Sequence, residues 1–276
     1  MDRVYPKHLY EPIREEIAVS YLKHELRKLF RTVPEKNWGF MDRDISDWTH
    51  SPELATPRDF WNGFHGIAMG FKLKIGLIYH ITAENIIWKK ERVPLSSLWF
   101  GVELQQTKVV GAGRQPAKKL IDFYFNPLNK KERERQLEYT LKLSSGTYSR
   151  DDHPVIIIQR LEENTPILSV QDGNRRLAKA VLMGEEKILA YVGRYTTEDK
   201  FPKNFWLPTS LLLETLLFAR RAYESKNEKL FSEYISVLKD MIEKSESAKY
   251  EFTNRALTTQ QPFRNDVLKA LGLPLD

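Results

Sequence analysis

Two adjacent arginines at the predicted start of a helix are the residues of this sequence best suited to chemistry. Arg175 and Arg176 directly follow the tripeptide Asp172-Gly173-Asn174. Apolar residues then recur at helical spacing, at Leu177, Ala178, Val181 and Leu182. Cations in a first helical turn cost about 0.3–1 kcal/mol each, because the positive end of the helix dipole lies there.

Such a turn is suited to binding an anion. Its free backbone N–H groups point at the ligand, Gly173 lets the ligand approach closely, and the planar guanidinium fork matches a phosphate. The pattern therefore predicts a phosphate site at residues 172–176. The alternative is an exposed helix start whose arginines bond to a neighbouring carboxylate.

The elements that position this turn can be predicted from the pattern around it. Short apolar runs at residues 155–158 and 167–170 are typical of buried strands, with turn-forming residues between them. Gly184 ends the predicted helix, and residues 188–192 return to strand. The predicted order is strand, turn, strand, glycine turn, helix, strand.

The segment Asp172-Gly173-Asn174-Arg175-Arg176-Leu177-Ala178, between these strands, resembles the second motif of the ParB/sulfiredoxin superfamily. The resemblance covers roughly residues 120–193. In that superfamily a Gly-x-x-Arg turn holds nucleotide phosphates. The resemblance implies that Gly173 permits close approach, that N–H groups near Asn174 and Arg175 bind phosphate oxygens, and that Arg176 neutralises charge.

The resemblance implies a fold and a phosphate site, and it does not select an activity. Sulfiredoxins carry a catalytic cysteine in this turn, and this chain has no cysteine. Chromosome-segregation ParB proteins usually show Gly-Glu-Arg-Arg, so Asn174 stands at their glutamate position. Free serine kinases of the superfamily read Asp-Gly-His-His-Arg, so Asn174 and Arg175 stand where their histidines would be.

Three further residues are candidates for acid–base chemistry. In the serine-kinase branch, acidic residues on the helix before the second strand serve as the base, and Glu134 and Glu138 fall in a comparable region of a helix predicted at 129–143. Alternating Glu and Arg on such a helix also mark a solvated face. His153 stands at the start of a strand and could exchange a proton near neutral pH, or make a structural hydrogen bond.

Composition limits the classes of protein to which this chain can belong. The chain has 276 residues, 41% of them hydrophobic and 29% charged, with a net charge of +6. A basic balance suits an anionic partner such as DNA. With no cysteine and no long apolar stretch, we predict a cytoplasmic protein with no membrane segment. Residues 36–66 are rich in Asp, His and Trp, but their spacing matches no ligand motif, so no metal site is predicted.

The whole chain is predicted to be an α+β protein with three parts. A mixed α/β region at 1–115 has a helix at 12–30 and an alternating strand at 71–81. A ParB/sulfiredoxin-like domain with a small mixed sheet occupies 116–198 and begins with a strand at 120–125. A helical domain at 199–276 has helices at 211–223, 230–242 and 265–271.

Three functions remain open at this stage. The first is a nucleotide-phosphate-binding ParB-like protein acting on or with DNA, as an NTP-dependent switch using ATP or CTP or as a nuclease. Nuclease chemistry also requires a divalent ion and carboxylates to hold it. The second is a small-molecule kinase of the same fold, with Mg²⁺ carried by the nucleotide. The third is a non-enzymatic protein that binds DNA or a partner.

Overall fold

The apolar runs around the glycine turn form the centre of a six-stranded sheet. In a computed structural model of the chain, the strands are β1 Ile86–Pro94, β2 Leu98–Gly101, β3 Arg114–Pro116, β4 Val155–Glu162, β5 Thr165–Asp172 and β6 Lys187–Tyr195. Their order in the sheet is β1-β6-β4-β5-β2-β3. The β6–β4 and β5–β2 pairs are parallel and the other three are antiparallel, so the sheet is mixed.

The structure describes residues 6–29, 57–70, 74–102, 104–144, 153–162, 164–196, 201–252 and 261–274. The helices are α1 Pro12–Leu29, α2 Pro57–Gly70, α3 Ile75–Thr82, α4 Leu104–Val110, α5 Ala117–Tyr124, α6 Lys130–Ser144, α7 Asn174–Met183, α8 Thr209–Glu224, α9 Glu228–Lys244, α10 Glu246–Glu251 and α11 Gln261–Leu271. The chain is a mixed α/β protein, as predicted. Most of the Asp- and His-rich stretch at 36–66 lies outside the described residues.

The chain divides into two compact units, and the sheet belongs to the one built from residues 12–50 and 86–200. The unit is wider than the predicted domain at 116–198, because α1, β1 and β2 come from the N-terminal region. The other unit combines residues 1–11, 51–85 and 201–276. Its apolar core is built from α8, α9 and α11 and includes Leu216, Leu238 and Val267.

One face of the sheet is apolar and packs against α5 and α7. Val155 and Ile157 of β4, Val170 of β5 and Leu177 of α7 belong to this core. Side chains alternate between the two faces of a strand, so the neighbouring residues point to the opposite face. That opposite face carries the polar residues described below.

Helix α1 lies on the opposite face of the sheet. The Arg14 guanidinium is buried and donates a 2.8 Å hydrogen bond from Nη2 to the carbonyl of Ile86. Glu16 accepts bonds of 2.7 Å from Lys90 and 2.8 Å from the Tyr191 hydroxyl. These contacts fix the helix over β1 and β6 and determine where its C-terminal half lies.

Two predicted strands are helices. Residues 75–82 form α3, in which Leu77, Ile78 and Ile81 are buried, a spacing of one and three residues that fits a helical face. Residues 120–125 fall mostly in α5, where Ala117, Leu120 and Tyr124 are buried at intervals of three and four. The alternation at 71–81 predicts a strand, but the buried residues of its described part have the spacing of a helix; residues 71–73 lie outside the described residues.

Most other predicted elements are confirmed within a few residues. These are α1, α6, α7, α8, α9 and α11 and the strands β4, β5 and β6. Among the described residues, no helix is both long and apolar enough to cross a lipid bilayer.

Candidate phosphate and metal site

Gly173 makes the sharp turn between β5 and α7. Its φ of 101° lies in the left-handed region, and a Cβ at this position would lie 2.6 Å from Val155 Cγ1. The first bond of the helix runs from Leu177 N to Gly173 O at 2.9 Å. The N-cap residue Gly173 makes no side-chain capping bond, and the N–H groups of the first helical turn point out of the helix start. The predicted glycine turn is therefore present.

Arg176 supports the turn from inside. Its side chain is 5% exposed, and Nη2 lies 2.6 Å from Oδ2 of Asp172, which is also buried. Nη1 donates to the carbonyl of Pro154 at 3.0 Å and to the carbonyl of His153. These nitrogens of Arg176 bind a carboxylate and two carbonyl groups, and the expectation that Arg176 neutralises a phosphate stays a prediction. Arg175 is exposed beside the turn.

A β-bulge directs Asp172 to the α1 face of the sheet. Ile157 pairs with Val170, but the preceding Ile156 pairs with Asp172, so Gln171 is an extra residue in β5. Ile156 also pairs with Tyr191 of β6, whose hydroxyl bonds to Glu16 of α1. Because paired residues point to the same face, Asp172 lies on the side where α1 packs.

Two residues of α1 meet Asp172 there. His24, Glu25 and Asp172 each offer one atom that could bind a metal, and these three atoms lie within 4.8 Å of one another. They are the group of this kind found among the described residues. His24 and Glu25 are partly buried and Asp172 is fully buried. An imidazole and two carboxylates at this spacing are ligands that a divalent ion could share.

His153 stands next to this group. Its Nδ1 lies 3.1 Å from Oγ of Ser20, one helical turn before His24, and its ring centroid lies 5.9 Å from that of His24. The structure therefore places His153 close to the turn that Asp172 and Arg176 hold. We refer to Ser20, His24, Glu25, His153 and Asp172 as the α1 cluster.

A second group of polar residues lies at the other side of the glycine turn. Nδ2 of Asn174 would be 3.2 Å from a Cβ built on Gly101, the last residue of β2. Gly101 pairs with Arg114 of β3, so Arg114 projects to the same face beside Asn174. Arg160 of β4 donates a 3.0 Å bond to Gln171, the bulge residue. We refer to Arg114, Arg160 and Asn174 as the basic cluster.

The basic cluster contains polar atoms that the protein leaves unsatisfied. Within the described part of the chain, Nη1 of Arg114, Nε of Arg160 and Oδ1 of Asn174 are buried and have no hydrogen-bond partner. Burial lowers the pKa of Arg114, and the nearby charge of Arg160 lowers it further, although Glu162 acts in the opposite direction. Two guanidinium groups that disfavour each other's charge are stabilised when an anion binds between them.

The predicted base residues lie on the exposed face of α6. Arg133 of α6 donates a 3.0 Å bond to the carbonyl of Leu182, at the C-terminal end of α7. The phosphate turn is at the other end of α7, about 12 Å from Leu182 for eight helical residues. Glu134 is exposed, and Glu138 is exposed and pairs with Lys142, which lowers the pKa of Glu138. The role of Glu134 and Glu138 as a base stays a prediction.

Comparisons with protein-family models, with curated proteins and with solved structures found no match for this chain. The assignment of a function therefore depends on the residues and contacts described above.

Sequence patterns gave no indication of two parts of this site. His24 lies near the apolar stripe of the helix predicted at 12–30, where a histidine is usually a surface or partly packed residue. Its partner Asp172 is 148 positions further along the chain. Arg160 lies near the end of a strand, where a charged residue commonly faces solvent. A β-bulge before Asp172 is what brings these residues together, and bulges leave no reliable signature in one sequence.

Proposed function

We propose that this protein binds the phosphates of a nucleotide at the start of α7 and acts on or with DNA, in the manner of ParB-like proteins. The observation that carries the proposal is the set of unsatisfied buried atoms in the basic cluster. Buried donors and acceptors without partners are rare in folded proteins, and each costs about 1–3 kcal/mol. A ligand that satisfies them recovers this energy on binding.

The chemistry of these atoms favours a nucleotide over a simple anion. The guanidinium nitrogens of Arg114 and Arg160 are donors, and they match phosphate oxygens. Oδ1 of Asn174 is an acceptor and requires a donor from the ligand. Phosphate at neutral pH supplies acceptors, whereas a ribose hydroxyl or a base amino group supplies a donor. A nucleotide offers both.

Each residue then has a distinct part in binding. The N–H groups at the start of α7 and Arg114 hold phosphate oxygens, and Gly173 keeps the approach open. Arg175, exposed at the rim, adds positive charge. Asp172 and Arg176 hold the turn in shape without contacting the ligand.

The overall charge supports an acidic partner beyond the nucleotide. The net charge of +6 and a pI near 9.2 favour association with the phosphate backbone of DNA. Binding that depends on phosphate contacts weakens steeply with added salt, because the counterions that the protein releases from DNA gain less entropy in a more concentrated solution. We expect DNA affinity to fall as the salt concentration rises from 50 to 200 mM.

Thermal shift with a panel of nucleoside di- and triphosphates, with and without Mg²⁺, tests the nucleotide site. A ligand at 100 times its dissociation constant adds about 2.7 kcal/mol to the free energy of unfolding. Arg114→Ala and Arg160→Ala are expected to remove most of the shift. Arg92→Ala is the matched control, because Arg92 is an exposed arginine on β1, at the opposite edge of the sheet from β3.

Two results would contradict the proposal. One is that no nucleotide shifts the wild-type protein. The other is that Arg114→Ala and Arg160→Ala respond to nucleotide as strongly as Arg92→Ala does.

A further inference from the structure

The α1 cluster combines the ligand types of a divalent-ion site. His24 and Glu25 are successive residues of α1, and Asp172 reaches them from the end of β5. Ser20 positions His153 on the other side of His24. None of these ligand residues belongs to the basic cluster that binds phosphate in the proposed function.

We propose that His24, Glu25 and Asp172 together bind a divalent transition-metal ion. Two carboxylates and an imidazole within 4.8 Å form a compact site with two negative charges, one of which Arg176 already offsets. A dication adds attraction to both carboxylates at once. A carboxylate has about four lone-pair positions on its two oxygens, so one carboxylate can bind both a guanidinium and a metal ion.

The spacing of the ligand atoms fits an ion after a movement of the side chains. Adjacent ligands of an octahedral ion with bonds of about 2.1 Å lie about 3.0 Å apart. A pair of ligand atoms at the limit of 4.8 Å must therefore approach each other by up to about 1.8 Å. Glu25 and His24 are only partly buried, so rotation of their side chains can supply this movement.

The ligand set selects among the possible ions. Carboxylates suit Mn²⁺, and imidazole suits the later first-row ions such as Fe²⁺ and Zn²⁺, whereas Mg²⁺ prefers oxygen ligands and retains water. We therefore expect the site to bind Mn²⁺ at least tenfold more tightly than Mg²⁺.

The position of the site indicates its use, and this step rests on the proposed function. Asp172 is bonded directly to Gly173, so an ion held by Asp172 lies beside the phosphate turn. The ion would contact the phosphate that α7 holds, and it would supply the divalent charge that phosphate-ester chemistry requires.

Mn²⁺ titration of the nucleotide-free protein, followed by the electron paramagnetic resonance signal of free Mn²⁺, tests the site. We expect saturable binding of one ion, weakened at least tenfold in His24→Ala and in Glu25→Gln. These variants are preferred to Asp172→Asn, which also breaks the buried pair with Arg176. His80→Ala and Glu228→Gln are the controls, because both residues belong to the other unit.

The proposal is supported if wild type and the two control variants bind Mn²⁺ and the His24→Ala and Glu25→Gln variants bind it at least tenfold more weakly. An absence of saturable Mn²⁺ binding, or equal binding by all variants, overturns it. Nucleotide affinity measured in EDTA separates the two sites. If Mn²⁺ binds and nucleotide does not, the result supports the metal site and contradicts the proposal that the metal ion contacts a bound phosphate.

Discussion

Asp172 and Arg176 form a buried ion pair across one turn at the start of α7, with 2.6 Å between Oδ2 and Nη2. The same guanidinium bonds to carbonyl groups of His153 and Pro154, which precede β4. One side chain therefore connects the end of β5, the start of α7 and the start of β4. These are the three segments around the proposed phosphate and metal sites.

Arg176→Ala is expected to lower the free energy of unfolding by about 3–5 kcal/mol, because it leaves the Asp172 carboxylate buried without its cation. Arg175→Ala, one residue away and exposed, should change it by less than about 0.5 kcal/mol. Urea denaturation of both variants checks the difference. Equal stabilities would show that the buried pair contributes nothing to the fold.

Gly173→Ala should be more destabilising than a typical replacement of glycine in a turn. A residue with a Cβ at positive φ costs about 1–2 kcal/mol, and a Cβ 2.6 Å from Val155 adds a packing cost of about 1–3 kcal/mol. Gly113→Ala is the matched control, because its φ is +82° but no atom lies within 4 Å of the added Cβ. Chemical denaturation should show the smaller loss for Gly113→Ala. The reverse order would be inconsistent with the close contact at Val155.

Tyr191 gives the sheet unit a defined dependence on alkaline pH. Burial raises the pKa of Tyr191, and its hydrogen bond to the Glu16 carboxylate raises it further. The folded-state pKa thus lies above the unfolded value of about 10, so this contribution to stability is complete below pH 10 and is lost as the pH rises. The loss is at most about 1.4 kcal/mol per pH unit for one proton.

Tyr191→Phe removes that proton and should flatten the decline of stability between pH 10 and 11. The measurement is the urea midpoint of wild type and variant across this range. Parallel curves for the two proteins would show that Tyr191 titrates at the same pH in the folded and unfolded chains.

Glu134→Gln and Glu138→Gln are expected to leave nucleotide binding and nucleotide turnover unchanged, because α6 contacts the C-terminal end of α7, away from the phosphate turn. Isothermal titration with the nucleotide that gives the largest thermal shift measures the binding, and phosphate release measures the turnover. A large loss of turnover in either variant would instead support the kinase alternative and place α6 near the substrate.

Local patterns predicted the centre of the sheet unit well. The β-branched run at 155–158, the glycine turn and the helical spacing from Leu177 to Leu182 each depend on neighbours in the sequence. The structure has β4, the turn at Gly173 and α7 at those places. The alternation at 71–81 wrongly predicted a strand, because Leu77, Ile78 and Ile81 also fit one face of a helix. Which of these residues are buried in the folded chain decides between the strand period of two and the helical period of 3.6.

The site itself was predictable only in part. The turn at 172–176 and His153 were identified from residue types, because a glycine turn and a strand-start histidine are local features. The contacts of Arg176 were not predicted. Whether an arginine binds a ligand or a neighbouring carboxylate depends on which group is nearer in space, and the sequence does not show that. His24 and Glu25 join the site through the packing of α1 on the sheet, which no spacing within α1 indicates.

The extra residue in β5 decides which face of the sheet carries the Asp172 carboxylate. Val170 and Asp172 are two positions apart, and two such residues share a face in a regular strand. A straight β5 of the same length would therefore point the acid into the hydrocarbon layer that contains Val170 and Leu177. One irregular position in a strand thus keeps the three proposed metal ligands on the same side of the sheet.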